Sequence, residues 1–364
     1  MNKMRISGNQ LFWLMSTMQV GMTILLTINP AIEIARQDAW ISTAAAGIFG
    51  VFTAFVSSRL SNIFPHQTFV EYVERIIGRW LGKTVVFLYM LFWYSVLAII
   101  LRQYSELIVG TILPRTPLIV PILGMLLVAV YVTASGIEAI ARCSEILGPF
   151  VLLAILIPLL LSIKDLDFTN ILPIYVDSGW MTILKGSLPT SSFLGDSVLL
   201  MMVFAFVSHP KKGMKPAIWG VGTAAILTCA ASFAIVSTLG HATSSSLTYP
   251  YFNLVRYLSY FDFVQNLDSL VIAIWIIGIF VKVSLYFFIS TYGTAQWCGV
   301  HNWRKMMWVV APLAVILALL PRDFIDSSVF FPQKIAIPFI LPFHMLVMPL
   351  LLWGIAKFRS KGTN

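Results

Sequence analysis

Pro189-Thr190-Ser191-Ser192-Phe193-Leu194-Gly195-Asp196-Ser197 interrupts a long apolar segment, and a polar-free run from Val198 to Val207 follows it. The nearest flanking bases are Lys185, 11 residues before Asp196, and Lys211, 15 residues after it. At helical rise the Ser197–Val207 stretch is about 16 Å long, roughly half of a ~30 Å hydrocarbon core. Asp196 is thus predicted near the bilayer midplane, where an uncompensated charge costs several kcal/mol. Proline, glycine and four hydroxyl side chains around it suit an interrupted helix. Interrupted helices at mid-membrane line solute sites.

Working outward, apolar runs repeat along the whole chain. The sequence is 59% hydrophobic and 11% charged, with a mean hydropathy of +0.87. Soluble domains carry about 25% charged residues. The reading is one transmembrane domain, 1–364, and no soluble one. Ten spans are predicted at 9–35, 39–58, 84–113, 118–137, 146–163, 187–208, 217–240, 267–293, 306–321 and 335–356. The net charge of +9 reads as topology, not as a nucleic-acid surface. Of 24 Lys and Arg, fifteen (Lys3 and Lys361 among them) fall on one set of connections and tails and seven on the other. Only Arg102 and Lys282 remain within spans. The positive-inside rule then places both termini in the cytosol. Lys3 and Arg5 precede an apolar stretch that runs past Leu26 with no A-x-A site, which predicts a retained span, not a cleaved signal.

Five spans per half (9–163 and 187–356) make the second half enter the membrane from the opposite side, an inverted repeat if the halves are related. Both halves open on a candidate break. In the first, Gly21, Met22 and Thr23 lie midway between Arg5 and Arg36. Paired interruptions point to a transporter-type binding site; Gly21 alone also suits a helix-packing contact. The connection 61–83 reads as an amphipathic helix on the cytosolic interface. The outer loops 164–186 and 241–266, the second with Asp262, are long enough to act as lids or partner surfaces.

Lys282 is predicted within the eighth span, past its middle. Either it snorkels to the inner interface, or it stands as a fixed ammonium beside the first helix, replacing a coupling cation or carrying a proton. Arg102 and Glu106, four residues apart on one face of the third span, form either a structural ion pair or a gate. Tyr94, nearer the centre of that span, either packs or offers its hydroxyl to a solute. The three cysteines (143, 229, 298) and five histidines are scattered, so neither a disulfide framework, a metal site nor a cofactor is indicated. No catalytic constellation appears, which argues against an enzyme.

Several runs resemble the spore permease family, the B subunits of nutrient germinant receptors in endospore-forming bacteria. They are Gly21…Leu25-Leu26-Thr27…Pro30 with Arg36-Gln37-Asp38-Ala39-Trp40; Leu113-Pro114-Arg115-Thr116-Pro117; Gly136-Ile137-Glu138-Ala139-Ile140-Ala141-Arg142…Glu145; Gly195-Asp196-Ser197-Val198-Leu199-Leu200…Lys211-Lys212; and Leu267-Asp268-Ser269-Leu270…Trp275…Lys282. They cover almost the whole chain in order. The family more often has Glu where this chain has Asp196. The resemblance implies an all-α membrane fold of the amino acid–polyamine–organocation permeases: ten transmembrane helices, a five-plus-five inverted repeat, broken first and sixth helices (LeuT-like).

It also implies a ligand cradle from the first, third, sixth and eighth spans. Gly21, Met22 and Thr23 would offer freed amides to a ligand carboxylate. Phe193, Leu194, Gly195 and Asp196 would surround its amine and side chain. The implied ligand is a small germinant, such as an amino acid. The implied partners are an A subunit and a lipoprotein C subunit in the spore inner membrane. The expected function is nutrient sensing with a signal to those partners; the alternative is a proton-coupled amino-acid transporter with Lys282 as the coupling group. Asp196 either touches the ligand or caps unwound backbone beside it.

Overall fold

The computed structural model describes residues 4–258 and 267–361; Lys3 and Asp262 lie outside them. A single β-bridge, Ile6 to Val207, occurs among the described residues, and all else that is regular is helical. The helices are α1 (Gly8–Ala35), α2 (Ala39–Ile63), α3 (Phe69–Ile77), α4 (Arg79–Thr111), α5 (Ile119–Ala134), α6 (Ile137–Leu161), α7 (Gly179–Leu194), α8 (Leu200–Val203), α9 (Pro210–Leu239), α10 (His241–Ser245), α11 (Pro250–Leu258), α12 (Leu267–Trp297), α13 (Met307–Ala318) and α14 (Met348–Lys361). Two π-wound stretches, Asp326–Phe330 and Pro332–Val347, lead into α14.

Among the described residues, seven stretches are long and apolar enough to cross a membrane. The first of them is α1 and α2 joined through one 3-10 turn, Arg36–Asp38. α13, at the expected ninth span, is only 12 residues long. The shorter apolar helix α5 adds to these seven, so the chain is a multi-pass membrane protein. This follows from bilayer physics: apolar segments without water partners close their own backbone hydrogen bonds as helices.

The first span departs from expectation. α1 is one uninterrupted α-helix from Gly8 to Ala35, with no break at Gly21. Its start is fixed by a capping box in which Ser7 and Gln10 satisfy each other's amides. Nothing near Gly21 removes an amide donor; the helix's one proline is Pro30. A lone glycine weakens a helix by only ~1 kcal/mol, which burial of α1 against α6, α7, α9 and α12 outweighs.

The sixth pass does change winding. α7 gives way to a 3-10 segment, Gly195–Leu199, then one turn of α8 and a second 3-10 turn, Phe204–Phe206. Pro189 inside α7 lacks an N–H, and Ser192 Oγ returns a hydrogen bond to the Pro189 carbonyl at 2.7 Å. α2 grips this segment closely. A Cβ on Gly50 would lie 2.7 Å from Leu194 Cβ, and Ser197 Oγ donates to the Gly50 carbonyl at 3.0 Å.

The N-terminus is sewn into one face of the bundle. Ile6 N donates to the Phe206 carbonyl at 2.8 Å, and Ser208 N to that of Ile6 at 2.9 Å. On the same face, α3 starts at a Thr68–Glu71 capping box and buries Phe69, Tyr72, Val73 and Ile76. The expected amphipathic helix is therefore tucked against α4, while Trp80 just beyond it is exposed.

Candidate functional site

Lys282 on α12 and Asp196 on the 3-10 segment of the sixth pass meet inside the bundle. Lys282 Nζ is 2.7 Å from Asp196 Oδ2, and the two side chains are 1% and 4% exposed. Lys282 therefore does not snorkel to a surface. Its Nζ also sits 4.9 Å from the centre of the Phe193 ring, a cation–π contact. One turn along α12, the buried Tyr286 faces the Asp196 carboxylate. Neither charge is affordable alone in this medium; together they offset most of each other's desolvation.

A void of about 30 Å³ adjoins the pair, lined among others by Gln103, Ser192, Phe193 and Pro332. That is room for about one water. Beyond it, at the face opposite the N-terminus, lies a cavity of about 400 Å³ with Asn29, Glu33, Gln103 and Lys185 among its polar walls. Gln103, Phe193 and Pro332 line both spaces. The chamber and the ion pair are thus separated by a wall of three side chains. Asn29 anchors the chamber's edge by donating to the Leu247 carbonyl and, at 3.2 Å, to that of Ser245.

Of the residues expected in the site, Phe193 and Asp196 border these spaces; Leu194 and Gly195 back them. Leu194 offers its carbonyl to Gln19 Nε2 at 3.1 Å. A Cβ on Gly195 would strike Met345 and approach the Phe49 ring to 3.2 Å. Gly21, Met22 and Thr23 line neither space. Their amides are spent inside α1, and Thr23 Oγ1 donates back to the Gln19 carbonyl at 2.5 Å. The expected carboxylate-binding backbone is absent there because α1 stays wound. A packing role for Gly21 fares no better, since a Cβ there would meet nothing within 4 Å. Tyr94 is directed elsewhere too: its hydroxyl shares a 2.7 Å hydrogen bond with Thr294, three turns past Lys282 on α12.

Arg102 and Glu106 form a 2.5 Å ion pair, both nearly buried. They tie α4 to the start of the last pass. Arg102 Nη2 donates to the Arg322 carbonyl at 3.0 Å, and Ser327 Oγ to Glu106 Oε2 at 2.6 Å. Gln103 Nε2 donates to the Ser327 carbonyl at 3.1 Å, while its Oε1 is buried and accepts nothing among the described residues. Sequence reasoning missed Gln103. It also missed that Lys282 answers Asp196, although two opposite charges in mid-membrane passes are a signal for pairing.

The sequence profile described as "Spore germination protein", Spore_permease, matches residues 5–326. The chain belongs to the spore permease family. It is similar to spore germination protein YndE of Bacillus subtilis (strain 168), 25% identical over 89% of this chain and 88% of that one. It is also similar to spore germination protein KB of the same organism, 24% identical over 99% and 97%. Among solved structures it resembles MhsT in complex with L-phenylalanine, with TM-score 0.65 and 14% identity over 97% of this chain and 95% of that one. Mhp1, a nucleobase-cation-symport-1 family transporter in a closed conformation with bromovinylhydantoin bound, gives TM-score 0.63 and 14% identity over 86% and 72%. At such identities the likeness is of fold alone: the chain is wound in the LeuT-like way of these structures.

Proposed function

We propose that this chain is the B subunit of a spore germinant receptor, which senses a small nutrient in the transporter-like pocket and passes a conformational change to A and C partner subunits. The nutrient is an amino acid. The protein resides in the spore inner membrane with both termini in the cytosol, as one domain of two five-helix repeats, 9–163 and 187–356. The observation that carries this reading is the chamber of about 400 Å³, with polar groups on a largely apolar wall, that is parted from a buried ion pair by three side chains, in a chain of the spore permease family. The volume suits a small molecule. The likeness to MhsT, solved with L-phenylalanine, supports an amino acid as the occupant. Signalling requires that the ligand bind one conformation better than another; parting or keeping the ion pair that bridges two passes would supply that difference.

A second reading, a proton-coupled amino-acid transporter, is favoured by one observation: an amine, Lys282, buried against a carboxylate at mid-bundle. One experiment separates them. The gene is deleted, then restored as wild type or with Asp196→Ala, and nutrient-triggered germination is assayed beside radiolabelled solute uptake into liposomes. Germination lost without any uptake activity in the wild type supports the receptor. Saturable, pH-gradient-driven uptake abolished by Lys282→Met establishes the transporter. Normal germination with both Asp196→Ala and Lys282→Met leaves a scaffold with a vestigial pocket.

A further inference from the structure

We propose that the Asp196–Lys282 pair is an internal stand-in for a zwitterionic ligand: a bound α-amino acid places its carboxylate on Lys282 and its ammonium on Asp196, replacing the contact the two residues make with each other. This rests on the receptor reading above and assigns the ligand's two charged groups to two side chains.

Four observations lead to it. First, the pair is net neutral and buried, so an exchange partner must bring one charge of each sign. A ligand with only one leaves a buried charge unmatched, the costly case. Second, the pair lies directly behind the wall shared by the chamber and the void, and Phe193, a single rotatable side chain, stacks on Lys282 Nζ. Turning that ring aside joins a space large enough for a small ligand to one that holds both charges. Third, Gln103 Oε1 is a buried acceptor without a donor among the described residues, and Gln103 lines both spaces. It is a receptor for a further N–H of the ligand ammonium. Fourth, α1 keeps its amides to itself, so the carboxylate needs another donor; Lys185 stands on the chamber wall, whereas Lys282 is the cation beside Asp196.

Once the Phe193 ring is aside and the void opens into the chamber, the ligand's side chain lies against Val96, Ile99, Ile100 and Ile340, all apolar, so the fitting class is α-amino acids with apolar side chains. Polar side chains would be desolvated there without partners. Exchange also gives the signal a mechanical origin. Asp196 sits on the 3-10 segment of the sixth pass and Lys282 on α12, and a molecule set between them alters their separation.

The test uses the full-length protein in lipid nanodiscs, with binding followed by calorimetry. The probes are L-alanine, L-valine, L-leucine and L-phenylalanine, their primary amides (cations) and the matching 2-hydroxy acids (anions). The expected result is that the wild type binds at least one of the amino acids and binds its amide and its hydroxy acid at least about a hundredfold more weakly. Asp196→Asn should weaken the amino acid by a similar factor and abolish the preference over the hydroxy acid, with Asp196→Glu restoring part of it. Lys282→Met should abolish the preference over the amide. Wild-type binding of the amide or hydroxy acid within about threefold of the amino acid overturns the exchange, and needs no variant to fold. Amino-acid binding that survives both substitutions also overturns the exchange while leaving the receptor reading intact. A wild type that binds none of the amino acids removes both.

Discussion

Lys282 Nζ lies 2.7 Å from Asp196 Oδ2, with α12 and the sixth pass joined by this contact inside the bundle. Removing one member of a buried pair strands the other charge, at about 3–5 kcal/mol, whereas removing both charges together costs far less. Asp196→Asn and Lys282→Met should each lower the thermal unfolding midpoint in detergent markedly. The double variant should recover most of the loss. A double variant no more stable than either single one would sink the idea that the two residues stabilise each other.

Glycines 50 and 21 should behave oppositely. At Gly50 a methyl meets Leu194 Cβ at 2.7 Å and the Leu194 carbonyl oxygen at 3.2 Å, atoms that move only with the backbone. Gly50→Ala is expected to destabilise by about 1–3 kcal/mol through overpacking. At Gly21 a methyl meets open space, so Gly21→Ala should be neutral or stabilising by up to ~1 kcal/mol, the helical gain of alanine over glycine. Thermal unfolding of the two variants side by side checks both signs. A damaging Gly21→Ala would show that α1 unwinds there in some working state.

The Arg102–Glu106–Ser327 network predicts a graded series. Glu106→Ala leaves the Arg102 guanidinium buried and unmatched, at about 3–5 kcal/mol. Ser327→Ala removes one donor to Glu106 and should cost about 1–3 kcal/mol. Equal losses in the two variants would contradict the network as drawn.

Phe193 separates the chamber from the void beside the ion pair. Shortening it to alanine should connect the two. A cysteine introduced at Ser192, buried in the protein and bordering the void, reports the change. It should react slowly with a membrane-impermeant thiol reagent in the otherwise wild-type chain and faster with Phe193→Ala. Unchanged labelling would mean that another barrier seals the void.

The sequence by itself determined the class and the passes. Hydropathy is a property of composition along one axis, and a bilayer allows a buried apolar segment little but a helix. Asp196 was legible for the same reason, since its depth follows from counting residues to the flanking lysines. The winding change at Gly195–Leu199 was foreshadowed by Pro189, Gly195 and the hydroxyls between them.

What only the tertiary structure decided is rotation and partnership. Sequence places Tyr94, Gln103 and Lys282 along their helices but not around them, because the period of a nearly all-apolar helix carries no usable moment. Tyr94 turns to Thr294, Gln103 faces the chamber, and Lys282 crosses to Asp196. The unbroken α1 was likewise decided outside its own sequence, by packing against four other helices. A glycine permits a break, but only its neighbours determine whether the backbone hydrogen bonds are given up.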